Sequence, residues 1–381
     1  MKVVLSIDPI RFPLTGIGRY TYELARALQQ TGLESLQFLR RNRLQQALPV
    51  PDDAHPMATT PSWKRWVQKS RIAVFLARRL NAGLQGLALR GLEDHLFHGP
   101  NFYLPPFPGR SVVTIHDLCV YLLPHTQPPE RVRYMHAEIE LSLKRAAALI
   151  TPTESTRIEV SRFFSWPLER VHAVPEASSP EFKPRSDEEL STGLRPLGLV
   201  PGRYALFTGT IEPRKNLGVL LDAYSRLPAD ARARWPLVIA GFRGWESDDL
   251  HRRFERAQRE GWLRYLGFVP DRSLPLLMAG ARLFAYPSLY EGFGLPVLEA
   301  MASGVPVVCS NAASLPEVAG RAAAFHAPDD VDALSNLLRA GLEDDAWRSR
   351  AIAAGLERAA SFSWDRCARE TLAVYESVLN S

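Results

Sequence analysis

Short apolar runs rich in β-branched and aromatic residues alternate with amphipathic stretches along most of this chain. One series falls at residues 3–7, 36–39, 95–98, 111–115, 148–151 and 171–174, and a second at 204–208, 237–240, 263–268, 283–286, 305–309 and 323–325. Most of these runs are apolar at every position, not at every other one, as expected of parallel strands covered by helices on both faces. Strands that alternate with helical patterns predict doubly wound α/β sheets, and here the pattern runs twice. The length, 381 residues, also suits two domains.

Between the two series lies KPRSDEELSTGLRPLGLVPGR, rich in proline, glycine and charge, which predicts a linker over residues 186–203. The expected layout is a first domain over 1–185, a ligand-binding domain over 204–362, and a closing helix over 363–381 that crosses back to the first domain. That last stretch starts on a Ser-Trp-Asp helix signal and carries Leu372, Tyr375, Val378 and Leu379 at helical spacing.

Composition narrows the classes. With 46% hydrophobic and 23% charged residues the chain can bury a full core. Its three cysteines are far apart and form no metal-ligand spacing, which suits a reducing cytoplasm. The apolar run at the N-terminus ends at Asp8, too short for a signal-peptide core, and no stretch is long and apolar enough to span a bilayer. Residues 1–185 hold 24 Lys and Arg against 16 Asp and Glu, whereas the remainder holds 22 against 25. A basic first half points to phosphates or an anionic membrane face as its partner, or to a solubilising surface bias. Residues 62–80, SWKRWVQKSRIAVFLARRL, mix aromatic and aliphatic side chains with six basic ones, and read either as a helix lying on the anionic inner membrane or as a packed helix with solvated cations. Nothing points to nucleic acid.

Four segments carry candidate chemistry. Residues 286–304, YPSLYEGFGLPVLEAMASG, follow an apolar strand, break into a glycine-rich turn and enter a helix. That places Glu291 and the backbone N–H groups of Gly292, Phe293, Gly294 and Leu295 at the carboxyl end of a parallel strand, where open α/β sheets bind ligands. Glu299, one to two helical turns further on, can face the same crevice. Each carboxylate can accept a pair of hydrogen bonds from vicinal hydroxyls. Residues 208–217, TGTIEPRKNL, put Gly209, Arg214 and Lys215 on a strand-to-helix loop, a planar fork and a point charge suited to a diphosphate. In residues 15–20, TGIGRY, Gly16 and Gly18 permit close backbone approach to a phosphate, although the third glycine of a dinucleotide fingerprint is Thr21. Residues 111–118, SVVTIHDL, end a strand on His116 and Asp117.

The segment EGFGLPVLEAMASG resembles the E-x7-E region of family 4 glycosyltransferases, which have the GT-B fold: two Rossmann-like doubly wound domains facing across a cleft. TGTIEPRKNL, TGIGRY, IHDL, TPTES at 151–155 and SLPEVAG at 314–320 resemble further segments of that family. The resemblance implies that Glu291 contacts the transferred sugar, that Glu299 binds the nucleotide ribose, and that Arg214 and Lys215 hold the donor diphosphate. His116 would contact the sugar without acting as a general base. Two departures stand out: Thr210 replaces an arginine common after the strand glycine, and Pro-Glu-Ala-Ser at 175–178 replaces Asn-Gly-Val-Asp.

Within the family the TGTIEPRKNL and IHDL forms resemble bacterial O-antigen mannosyl- and rhamnosyltransferases. They imply a GDP-linked mannose or D-rhamnose donor and a polyprenyl-diphosphate-linked glycan acceptor, with retention of configuration. No cofactor is expected beyond the nucleotide-sugar substrate. No metal is expected either, since the one Asp-x-Asp, at Asp330 and Asp332, reads as a helix cap. The competing readings are a sugar-nucleotide epimerase or hydrolase, a phosphorylase on the same scaffold, and a non-catalytic sugar-nucleotide-binding scaffold.

Overall fold

Residues 1–50, 82–245 and 247–381 are described by a computed structural model; the basic aromatic stretch at 62–80 lies outside them. Each of the twelve apolar runs forms a strand within two residues of its expected bounds. The first sheet contains β1 (Lys2–Ser6), β2 (Ser35–Arg40), β3 (Arg43–Gln45), β4 (Leu96–Gly99), β5 (Ser111–Thr114), β6 (Ala148–Thr151) and β7 (Val171–Ala173), in the order β3-β2-β1-β4-β5-β6-β7. The short β3 has no counterpart in the apolar pattern. It is an antiparallel edge strand with one apolar residue, joined to β2 through backbone pairing. The second sheet contains β8 (Ala205–Thr208), β9 (Leu237–Ala240), β10 (Leu263–Gly267), β11 (Leu283–Tyr286), β12 (Val307–Ser310) and β13 (Ala323–His326), in the order β10-β9-β8-β11-β12-β13, all parallel.

Burial explains why continuous apolar runs were needed. Every residue of β8, β9, β11 and β12 is buried, so no position on these strands meets water. In β1 the strand alternation divides the core: Val3 and Leu5 join the cluster on one face of the first sheet and Val4 the cluster on the other. The strand order reverses between β1 and β4 and again between β8 and β11. Such a reversal splays the connecting loops apart and leaves a crevice at the carboxyl ends.

The segment over 186–203 is not an extended tether. Ser186 caps the helix Asp187–Leu194 and Glu189 returns the bond to the Ser186 backbone, a complete capping box. Leu190, Leu194 and Leu199 then enter the core of the second sheet, with Gly193 set against Leu276. The proline and charge content suggested a linker, while the S-x-x-E signal with leucines four apart specified a helix. The final helix, Trp364–Leu379, is capped by Ser363 and lies on helix α1 (Gly16–Gln29) of the first domain, burying Trp364, Cys367, Tyr375 and Val378 in that domain's core. Among the described residues no helix is long and apolar enough to cross a membrane.

Because Leu194 is fully buried, Leu194→Ala is expected to cost about 2–5 kcal/mol, read as a lower denaturation midpoint. A surface tether would lose less than about 0.5 kcal/mol at this position.

Candidate active site

The loop leaving β11 is held by both domains. Gly294 takes φ +100°, a left-handed conformation, at the start of the helix Leu295–Ala302, with Pro296 in the first turn. Two residues earlier, Gly292 lies so close to the first domain that an added Cβ would come 1.7 Å from the His116 carbonyl oxygen. The Gly292 carbonyl in turn lies 3.0 and 3.1 Å from the Thr153 and Thr156 hydroxyls. The Leu118 N–H donates to the Tyr290 hydroxyl, which itself donates to Glu159. From the other side, Ser314 Oγ donates to the Glu291 carbonyl at 2.7 Å. Glu317 accepts the Glu154 and Ser155 N–H groups at 2.7 and 2.8 Å, so a carboxylate of the second domain satisfies the open N-terminus of the helix Glu154–Phe164. The TPTES and SLPEVAG segments therefore meet each other across the domain boundary.

This loop presents Glu291 to the loop that follows β8. A turn over Pro213–Lys215 ends on Asn216 in a left-handed conformation, φ +55°, and the Asn216 side chain donates to the Pro287 and Pro328 carbonyls. Lys215 Nζ donates to Glu291 Oε1 and to the Tyr286 hydroxyl, both at 2.6 Å. Arg214 Nη1 donates to Glu291 Oε2 at 2.6 Å and to the Tyr290 carbonyl at 2.7 Å. Its Nε and Nη2 lie 3.1 and 2.8 Å from Glu212. Burial pushes the Glu291 carboxyl up, but Arg214 and Lys215 together outweigh it and hold the group down at about 2. Burial and the neighbouring Arg214 charge lower the Lys215 ammonium.

A second cluster adjoins the first. Glu299 points toward Arg19 of α1, with Nε and Oε1 3.6 Å apart, and Arg19 also reaches Asp271 at 3.4 Å. The Leu14 N–H donates to the same Asp271 carboxylate at 3.1 Å. Burial raises the Glu299 carboxyl and Arg19 opposes the rise in part. On the first-domain wall, His116 is buried, with Nδ1 3.1 Å from Glu176 and Nε2 2.8 Å from the Pro100 carbonyl.

Ten of the residues singled out in the sequence line one cleft of about 410 Å³: His116, Arg214, Lys215 and Glu291, together with Gly16, Gly209, Gly292, Phe293, Gly294 and Leu295. Glu299 lies in an adjoining pocket of about 170 Å³ that shares Gly16, Gly209 and Leu295 with the cleft. Gly18 faces away from both, with its Cα face 3.0 Å from the Pro9 carbonyl for an added Cβ. The sequence reading missed Arg19, Glu176, Glu212, Asp271 and Tyr286. Arg19 lay inside a segment already singled out; Glu176 lay in the Pro-Glu-Ala-Ser departure; Asp271 carried no local signal.

Two Rossmann-like domains facing each other across a cleft at the carboxyl ends of their strands make up the GT-B fold of glycosyltransferases. Solved structures share this fold over nearly the whole chain. WaaG, a glycosyltransferase involved in lipopolysaccharide biosynthesis, superposes with a TM-score of 0.70 at 16% identity, covering 97% of this chain and 98% of its own. Anabaena Alr3699/HepE in complex with UDP-glucose gives 0.70 at 16% identity, covering all of both chains. Residues 199–358 match the family described as Glycosyl transferases group 1. O-antigen chain mannosyltransferase B of Escherichia coli is 42% identical over 379 residues, 99% of this chain and 100% of its own. The serotype-specific mannosyltransferase WbdA of Escherichia coli is 33% identical over 283 residues, 72% of this chain and 34% of its own length. The chain belongs to the group 1 glycosyl transferase family and is a glycosyltransferase.

Two measurements check the site. Glu291→Gln leaves two cations facing each other in a buried site and is expected to cost about 3 kcal/mol at neutral pH. Since Glu291 sits at about 2 in the folded protein, below its ordinary value, its contribution is complete above about pH 4.5 and is lost as pH falls toward about 2. Urea midpoints should therefore differ between wild type and variant at pH 6 and converge through the range below 4.5; a constant gap would contradict the ion-pair assignment. Gly292→Ala should push the β11 loop off His116, visible as a larger radius of gyration in small-angle scattering; an unchanged profile would mean the contact is dispensable.

Proposed function

We propose that this glycosyltransferase moves mannose or D-rhamnose from a GDP-sugar, with retention, to a polyprenyl-diphosphate-linked glycan in lipopolysaccharide O-antigen assembly. The observation that carries the reading is the Arg214–Glu291–Lys215 cluster at the carboxyl ends of β8 and β11. It sets two cations where a diphosphate would leave and a carboxylate where sugar hydroxyls would lie. The full-length similarity to an O-antigen chain mannosyltransferase favours the mannose-type donor.

In this mechanism the donor's diphosphate takes the spare donors of Lys215 and Arg214 and the backbone N–H groups at the start of the helix Leu295–Ala302. The ribose engages Glu299 in the adjoining pocket. The acceptor hydroxyl attacks the anomeric carbon on the face the diphosphate leaves; the sugar–phosphate bond breaks as the new glycosidic bond forms, and the hydroxyl proton passes to the departing phosphate oxygen. Charge develops on that oxygen and on an oxocarbenium-like carbon, so fixed cations beside the diphosphate lower the barrier. The two cations supply this charge without a metal. The acceptor would enter along a crevice of about 1100 Å³ in the first domain, lined by Arg11, Arg41, Asn101, Tyr103, Tyr134 and Arg145. These side chains suit sugar hydroxyls and a phosphate. A lipid-linked acceptor places the enzyme at the cytoplasmic face of the inner membrane.

A thermal-shift panel of GDP, UDP, ADP, dTDP and CMP in EDTA tests the donor. A selective GDP shift is expected, about 2.7 kcal/mol of stabilisation at a hundredfold excess over the dissociation constant. A selective shift by another nucleotide would overturn the GDP assignment. Lys215→Ala is expected to slow transfer by about 10²–10³-fold; unchanged turnover would remove Lys215 from the diphosphate site.

A further inference from the structure

His116 stands between two groups that can only accept hydrogen bonds when Glu176 is ionised. Its Nε2 is 2.8 Å from the Pro100 carbonyl oxygen, and its Nδ1 is 3.1 Å from the Glu176 carboxylate. A neutral imidazole carries one N–H, so one of these contacts would set a lone pair against a lone pair. The geometry is satisfied only when the pair holds one proton more than a neutral histidine beside an ionised glutamate. An imidazole ordinarily binds a proton more tightly than a carboxylate does, so that proton rests on the ring.

Among the described residues, the groups packed around the ring offer no other donor to these two contacts. Tyr20 of α1 meets the ring edge-on at 4.8 Å, and its hydroxyl is engaged with Thr114. Phe102 meets it at 5.8 Å. His98 on β4 is fully buried between Tyr375 and Thr114 and is held neutral by burial, its value lowered to about 3. Asp117, next in the chain, adds negative charge, and Arg214, Lys215 and Glu291 face the same cleft from the second domain. Burial opposes a charged His116 ring, but the Glu176 hydrogen bond and charge, the Pro100 carbonyl and Asp117 outweigh it and raise its value.

The extra proton matters because of what else lines the cleft. Arg131, Arg214 and Lys215 face four carboxylates there, those of Asp117, Glu176, Glu212 and Glu291. With the pair protonated, the lining is neutral overall; without the proton it is net negative where an anionic diphosphate must enter. We propose that Glu176 is a positioning residue for the transfer reaction: it pins His116 against Pro100 in the doubly protonated form, keeping the donor side of the cleft from net negative charge. This rests on the sugar-nucleotide reading above. It gives the Pro-Glu-Ala-Ser departure at 175–178 a chemical role, since that departure brings Glu176 to the ring.

The test uses the full chain with selectively labelled histidine, the His116 signal being identified by its loss in His116→Gln. In wild type, the His116 ring should show both nitrogens protonated at neutral pH. In Glu176→Gln the second proton should be lost at a pH lower by about one unit or more. The alkaline fall of kcat/KM for the sugar nucleotide should move by the same amount, with the acceptor KM unchanged and with Glu176→Asp restoring most of the wild-type profile. A wild-type His116 that is a single neutral tautomer at pH 7 would overturn the proposal, and this result needs no variant to fold. An alkaline limb that stays put in a folded Glu176→Gln would overturn it too. The resonance experiment does not depend on turnover, so a wild type that transfers no sugar would sink the proposed function while leaving the protonation of the pair decided.

Discussion

The contact on which the site depends is the approach of Gly292 to the His116 carbonyl. It brings a loop of the second domain against a strand end of the first at van der Waals distance, which no side chain would permit. Everything that defines the cleft is arranged around it. Tyr290, one residue before Glu291, reaches Leu118 and Glu159; Thr153 and Thr156 approach the Gly292 carbonyl; Glu317 closes the N-terminus of the helix Glu154–Phe164. The loop that carries Glu291 is thus also the loop that docks the domains. Separating them would strip the Glu154 and Ser155 N–H groups of the Glu317 carboxylate and move Glu291 relative to His116, so closure and site geometry are linked by the same hydrogen bonds.

Much of this was legible in the sequence because the controlling signals are local. A strand buried on both faces must be apolar throughout, and LVIA, LFAY and VVCS are. The spacing of Glu291 and Glu299 follows from strand, turn and helix, and Arg214 and Lys215 follow from the loop after β8. What the sequence left hidden is pairing across long separations. Arg214 and Glu291 are 77 positions apart, and Arg19 and Asp271 are 252 apart. No periodicity in either neighbourhood encodes the meeting. Asp271 in particular looks like any turn aspartate until the second domain carries it to α1. The helix within the 186–203 segment was hidden for a different reason: composition was weighed above a capping signal that was present in the residues.

Charges as deeply buried as these would be strongly unfavourable if left alone, and none is. Arg214 distributes its donors over Glu212, Glu291 and a carbonyl; Lys215 shares Glu291 and Tyr286; Arg19 lies between Glu299 and Asp271. Removing one member strands the others in a low-dielectric environment, which costs more than the pair itself contributes. Such clusters therefore constrain geometry more than they stabilise the fold, and their positions at the two strand-order reversals follow from topology.

In the proposed reaction these pairings also set what a donor must do to bind. A diphosphate cannot simply add to Arg214 and Lys215, because most of their donors already reach Glu291, Glu212, Tyr286 and the Tyr290 carbonyl. It must take the remaining donors and, where it takes more, leave Glu291 free to accept from another partner. In the proposed reaction that partner is a hydroxyl of the transferred sugar. In that reaction the exchange ties recognition of the sugar to recognition of the phosphates: a nucleotide without a sugar is held by the remaining donors alone. Such a site would favour the intact sugar nucleotide over GDP, since only the former gives Glu291 a replacement partner when the phosphates take its cations.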